Sequence, residues 1–116
     1  MSDHKSKGKY GESLAKNFLE KQGYEILEEN YRYRKGEIDL IALWKNELLV
    51  FIEVKLRKTD HFGNPETFVF PGQQRLIMEA AENYIFDINW KKDVRFDIMA
   101  IAQDSGELWH IEDAFF

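Results

Sequence analysis

A chain of 116 residues, 44% hydrophobic and 15% aromatic, is long enough for one domain with a substantial core and leaves no room for a second. Its formal net charge of −5 argues against coating nucleic acid by bulk attraction, and without cysteine any metal must sit on oxygen or histidine ligands, which favours magnesium or manganese. No apolar run approaches the roughly 20 residues of a membrane helix, and the polar start lacks the apolar segment of a signal peptide, so a cytoplasmic protein with no membrane contact is expected.

Residues 1–9 are expected to be flexible. Residues 10–22 then form a helix by pattern, with Leu14, Ala15, Phe18 and Leu19 on one apolar stripe and Gly23 as its stop. Glu12 in its first turn has two readings: a carboxylate favoured by the helix dipole, or, if the helix end leans over a sheet, a metal ligand. Tyr24 to Arg34, rich in Tyr and Ile, predicts a strand leading into a Lys35 and Gly36 turn.

Two strands joined by a tight turn follow. Ile38 to Leu43 places Asp39, Ile41 and Leu43 on one face and Ile38, Leu40 and Ala42 on the other; Leu48 to Leu56 places Glu53 and Lys55 on one face with Leu49 and Phe51. A three-residue loop of Lys45, Asn46 and Glu47 pairs Trp44 with Leu48 and sets Asp39 opposite Glu53. A two-residue turn would set Asp39 against Ile52, on the wrong face. Asn46 can adopt the left-handed conformation that three-residue loops need, so the first register is expected. Charges on strands usually face solvent, but the apolar residues beside Glu53 and Lys55 imply a face that is at least partly covered.

Asp60 to Asn64, followed by Pro65, marks a loop that could touch substrate. Pro71 and Gly72 precede a second helix over roughly Gln73 to Ile85, with Leu76, Ile77, Ala80, Ala81 and Tyr84 as its buried stripe. Gln73, Gln74 and Arg75 in its first turn are either a helix end in water or amides able to hold a phosphate. Trp90 to Asp93 is a charged connection. Val94 to Ala102 and Leu108 to Glu112 complete the sheet around a turn at Asp104, Ser105 and Gly106. Asp97 reads as a salt-bridging residue, to Arg95 or Arg75. His4, His61 and His110 lack metal-ligand spacing and receive no catalytic role.

Charge is unevenly distributed: residues 1–59 carry twelve basic and ten acidic residues, residues 60–116 four and eleven. Lys5, Lys7, Lys9, Arg32, Arg34, Lys35, Arg57 and Lys58 could form a phosphate-binding rim if the fold gathers them; scattered solvated charges are the alternative.

Asp39, thirteen residues, Glu53, one residue and Lys55 resemble the core of PD-(D/E)XK nucleases. A closer resemblance adds Gly11, Glu12 and Ala15; Gly36 to Ile41; Phe51 to Lys55 with Arg57; Ala80, Ala81 and Tyr84; Arg95 to Asp97; and Ala114 with Phe115. Together these resemble the YraN-like family of predicted endonucleases, similar in core to archaeal Holliday junction resolvases. The resemblance implies a restriction-endonuclease-like α/β fold, a mixed sheet of about five strands flanked by helices in the order α-β-β-β-α-β-β. It further implies a magnesium- or manganese-dependent endonuclease acting on DNA, branched or junction DNA included. Asp39 and Glu53 would be metal ligands, Glu12 an additional ligand, and the Val54 carbonyl a further donor. Lys55 would be the catalytic lysine, and Glu37 a secondary candidate. Arg32, Arg34, Lys35, Arg57, Lys58 and Gln73 would meet nucleic acid. Two departures stand out: Ile38 replaces the proline of the superfamily name, and Gln73 stands where a lysine is expected.

Two other functions compete. A nucleic-acid-binding module that kept the fold and lost turnover is favoured by Gln73 and by net acidity. A small adaptor would use Trp109, Phe115 and Phe116, which otherwise read as core or as a homodimer contact.

Overall fold

A computed structural model of the chain describes residues 3–57 and 70–115, with side chains from Lys9 onward. The elements are α1 (Asp3–Gln22), β1 (Tyr24–Tyr33), β2 (Gly36–Trp44), β3 (Leu48–Arg57), α2 (Pro71–Asp87), β4 (Asp93–Ala102) and β5 (Leu108–Ile111), in the expected order. The strands form one sheet, ordered β1-β2-β3-β4-β5. Short connections make β1–β2, β2–β3 and β4–β5 antiparallel; β3 and β4 are parallel, with α2 lying between them in the chain.

β3 is the central strand. Leu49, Val50, Phe51 and Ile52 are all at most 1% exposed, so its continuous apolar run reflects cover on both faces. On one face α2 packs Ile77, Ala80, Ala81 and Tyr84 against Leu49, Phe51, Phe96, Ile98 and Ala100. On the other, α1 packs Ala15 and Leu19 against Ala42, Val50, Ile52, Met99 and Ile101. Phe51 stacks on Phe96 with ring centroids 5.2 Å apart, and truncating such a buried ring typically costs about 3–5 kcal/mol.

The expected alternation of β2 fails at one point. Ile38 and Ile41 both bury on the α2 face, whereas Leu40 buries on the α1 face, so Ile38 does not share a side with Leu40. In β1 the register continues from Glu29↔Leu40 to Tyr31↔Ile38, which leaves Asn30 opposite Asp39, and Asn30 has a left-handed φ of 55°. This backbone distortion turns the strand, and it lies beside the carboxylates described below.

Other differences are at boundaries. α1 begins at Asp3 rather than at residue 10, because its polar first turns carry no apolar period to count. The β1–β2 turn is Arg34–Lys35, with Arg34 at φ 56°, rather than Lys35–Gly36; Tyr33 pairs directly with Gly36. Gly36 serves a different purpose from the expected one. A Cβ there would overlap the Leu76 carbonyl oxygen, so glycine lets β2 start directly against α2. Pro71 occupies the start of α2, where its missing N–H costs nothing. The expected loop at residues 60–64 lies outside the described residues, as do His61, Lys58 and Phe116.

Candidate active site

Trp44 pairs with Leu48 and Leu40 with Ile52, the register of the three-residue loop. Lys45 and Asn46 are both left-handed, with φ of 54° and 59°, and the Glu47 N–H donates to the Trp44 carbonyl at 3.0 Å. Continued by one pair, this register sets Asp39 against Glu53. There the Val54 N–H donates to Asp39 Oδ2 at 2.7 Å, so a side chain takes up a donor that regular pairing gives to a carbonyl. The carboxylate thereby reaches β3 even though the strand turns.

Glu53 is 7% exposed and hydrogen-bonded to Asp39. Burial above all, then that hydrogen bond and the charge of Asp39, push its pKa up to about 10, against a smaller opposing effect from Lys55. Burial beside a second acid thus favours the protonated form of Glu53. A site that retains a proton against two carboxylates is one where a cation can replace it.

Lys55 is half-buried one pleat beyond Glu53, and its positive charge acts on Glu53. From the first turn of α2, Gln73 Nε2 donates to Glu53 Oε2 at 3.1 Å. Glu37 pairs with Arg32 at 3.4 Å, and its charge also raises the Glu53 pKa. Glu12 is half-buried; burial first, then the Asp39 charge, raise its pKa, against a lowering effect of the Asn30 side chain. The structure therefore brings Asp39, Glu53, Lys55 and Gln73 together, with Glu12 and Glu37 felt through charge. Among the described residues, no three His, Cys, Asp or Glu side chains are grouped so as to hold a metal ion.

The basic residues partly gather at this end. Arg34 and Lys35 occupy the exposed β1–β2 turn, Arg34 lying over the Tyr33 ring at 5.1 Å, and Arg57 closes β3 with Nη1 donating to the Leu56 carbonyl at 3.2 Å. Arg32 is exposed on the neighbouring stretch of β1, and Lys9 is exposed in the early part of α1. Gly11, two residues later, lies against Leu56, Val54 and Ile101, which places that part of α1 at the same end. The side chains of Lys5 and Lys7 lie outside the described residues.

A second polar cluster occupies the α1 face. Asp97, fully buried, accepts hydrogen bonds from Arg95 Nε at 2.8 Å and Nη2 at 2.7 Å and from the Asp113 N–H at 3.0 Å, and contacts His110 Nε2 at 2.7 Å. Burial opposes its ionisation, but the bonds from His110, Arg95 and Asp113 prevail and hold its pKa below the ordinary value. Arg95 also donates to the Tyr24 hydroxyl at 2.8 Å and pairs with Glu112 at 3.0 Å. The predicted Asp97–Arg95 bridge is present; His110 and Asp113 were not foreseen as its partners. Part of this cluster lines a cleft of about 370 Å³ with Phe18, Gln22, Tyr24 and Trp44. Its acid is already neutralised, so the open chemistry lies with Asp39 and Glu53 on the other face.

A family model described as "Uncharacterised protein family UPF0102" matches residues 11–101. The chain belongs to this family. UPF0102 is the YraN-like family of the sequence resemblance. A UPF0102 protein of Flavobacterium psychrophilum is 42% identical over 118 residues, covering 100% of this chain and 98% of the relative. One from Cytophaga hutchinsonii is 50% identical over 100 residues, covering 86% and 88%, and one from Christiangramia forsetii is 45% identical over 118 residues, covering 100% and 98%. The UPF0102 match spans Glu12, Asp39, Glu53, Lys55 and Gln73, whereas His110 lies beyond it.

Proposed function

We propose that this protein is a metal-dependent endonuclease that hydrolyses DNA phosphodiester bonds, with branched and junction DNA among its substrates. The observation that carries the reading is the placement of two acids at one point of the sheet: Glu53 is buried on β3, and Asp39 reaches the same strand through the Val54 N–H at 2.7 Å. Lys55 on the same face and the basic groups at the same end support it.

The donor set fits a hard cation. Magnesium is commonly held by only one or two carboxylates, the rest of its shell being water and substrate phosphate. Asp39 and Glu53 would hold it, with the Val54 carbonyl as a further oxygen donor and Glu12 as an additional ligand from α1. When bound, such an ion would neutralise phosphate charge and lower the pKa of a water molecule. The chain's own residues supply the rest. Lys55 places a positive charge where negative charge develops on the phosphate. Arg34, Lys35, Arg57 and Lys58 attract the nucleic-acid backbone and set its approach, and Arg32 joins them when released from Glu37.

Labelled linear, flapped and four-way DNA, incubated with magnesium or manganese, tests this reading. The native protein should cut and Glu53→Ala should not. Equal cleavage by both would identify a contaminating nuclease and refute the assignment. A protein that retains DNA and cuts none of these substrates would instead be a binding module.

A further inference from the structure

Each carboxylate of the pair has one oxygen engaged by an identified protein donor. Asp39 Oδ2 receives the Val54 N–H at 2.7 Å, and Glu53 Oε2 receives Gln73 Nε2 at 3.1 Å. The two donors have different origins, one from the sheet and one from the first turn of α2. Both are neutral, so they fix direction without adding positive charge to the site.

We propose that Gln73 is a positioning residue: its amide holds Glu53 by one oxygen while the Val54 N–H holds Asp39 by one, leaving Oε1 of Glu53 and Oδ1 of Asp39 for one divalent cation. This rests on the metal-dependent reading above. A hydrogen-bond donor behind a ligating carboxylate restricts its rotation, so less freedom is lost when a cation binds. Neutrality matters as much as geometry. An ammonium group at this position would attract the same carboxylates and compete with the cation, whereas an amide does not.

The support for Gln73 is itself built into the fold. Its helix is fixed by Ile77, Ala80, Ala81 and Tyr84, and lies directly over β2 at Gly36. The amide is therefore carried on a docked helix, in a position set by the core.

Calorimetric titration with manganese and metal-free melting together test the proposal. Gln73→Leu should bind manganese about 10–100-fold more weakly than the native protein, the usual cost of losing a group that orients a ligand. Gln73→Lys should also lose at least about tenfold in affinity, yet melt at a higher temperature without metal, because an ammonium offers the acids an opposite charge where the native protein has only an amide. That opposite pair of changes cannot come from a damaged fold. Native-like manganese affinity in both variants, or a lower metal-free melting temperature for Gln73→Lys, would overturn the role of Gln73 alone. A native protein that binds no manganese would overturn this inference and the metal-dependent reading together.

Discussion

Asp97 and Glu53 are both buried acids of adjacent parallel strands, at 0% and 7% exposure, yet the pKa of one is lowered and that of the other raised. Burial opposes charge at both, so burial does not decide the difference. Partners do. Asp97 is met by a guanidinium, an imidazole and a backbone N–H, while Glu53 meets another acid and the neutral amide of Gln73, with Lys55 opposing its protonation only in part. The first cluster is complete and ties the chain end to the sheet, for Asp113 bonds Asp97 and the Ala114 N–H donates to the Phe96 carbonyl at 2.8 Å. The second retains capacity for positive charge, which is what a cation site requires.

The largest expected effect breaks the completed cluster. Asp97→Ala leaves the Asp113 N–H without its acceptor and Arg95 with only Tyr24 and Glu112, and removing one partner of a buried ion pair costs about 3–5 kcal/mol. Urea unfolding should show the loss as a lower midpoint. Because the Asp97 pKa is depressed, its contribution is present above the unfolded value of 3.8 and disappears as pH falls through the folded value.

The same substitution logic should have the opposite sign at the carboxylate pair. Glu53 has its pKa raised from 4.5 to about 10, so its contribution to stability is full below 4.5 and is lost as pH rises through about 10. Metal-free Glu53→Gln should therefore be more stable than the native protein at pH 8, by on the order of 1 kcal/mol or more, with a flatter decline toward alkaline pH. Equal slopes in the two proteins would show that Glu53 is ionised in the fold and that the contrast with Asp97 does not exist.

How much of this contrast the sequence revealed depends on whether the interaction was local. The Asp39–Glu53 register was legible because a strand has a period of two and only one loop length keeps both acids on one face. The loop then proved to need two left-handed residues, Lys45 as well as Asn46. The change of face in β2 between Ile38 and Leu40 is hidden in the sequence, since Ile-Asp-Leu looks like unbroken alternation and the left-handed Asn30 opposite Asp39 belongs to another strand. Arg95 shares a strand with Asp97 and is one of the two partners, with Arg75, that the sequence offers it; His110 joins them only through β4–β5 pairing. Gln73 was visible as a polar helix start and as an unexpected amide, but its aim at Glu53 depends on how α2 docks. The Gly36 sequence suggested a turn, although its absent side chain is needed by a helix forty residues later in the chain.

A smaller effect sharpens the comparison by moving α2. Gly36→Ala should cost about 1–3 kcal/mol through overlap with the Leu76 backbone and should weaken manganese binding by displacing Gln73. Thermal unfolding and titration read both, and the Asp97 cluster on the opposite face should keep its acid midpoint. The smallest change in stability is expected for Lys55→Met, within about 1 kcal/mol, because the side chain is only half-buried. That variant should retain manganese and lose cleavage. Cutting at the native rate would make Lys55 a solvated strand residue.

If Asp39 and Glu53 take up a divalent cation, as proposed, manganese binding is linked to folding and shifts the melting temperature. The native protein should melt at a higher temperature as manganese is added, and the Asp39→Asn, Glu53→Gln double variant should not respond. A rise of the same size in the double variant would place the ions elsewhere and contradict the account.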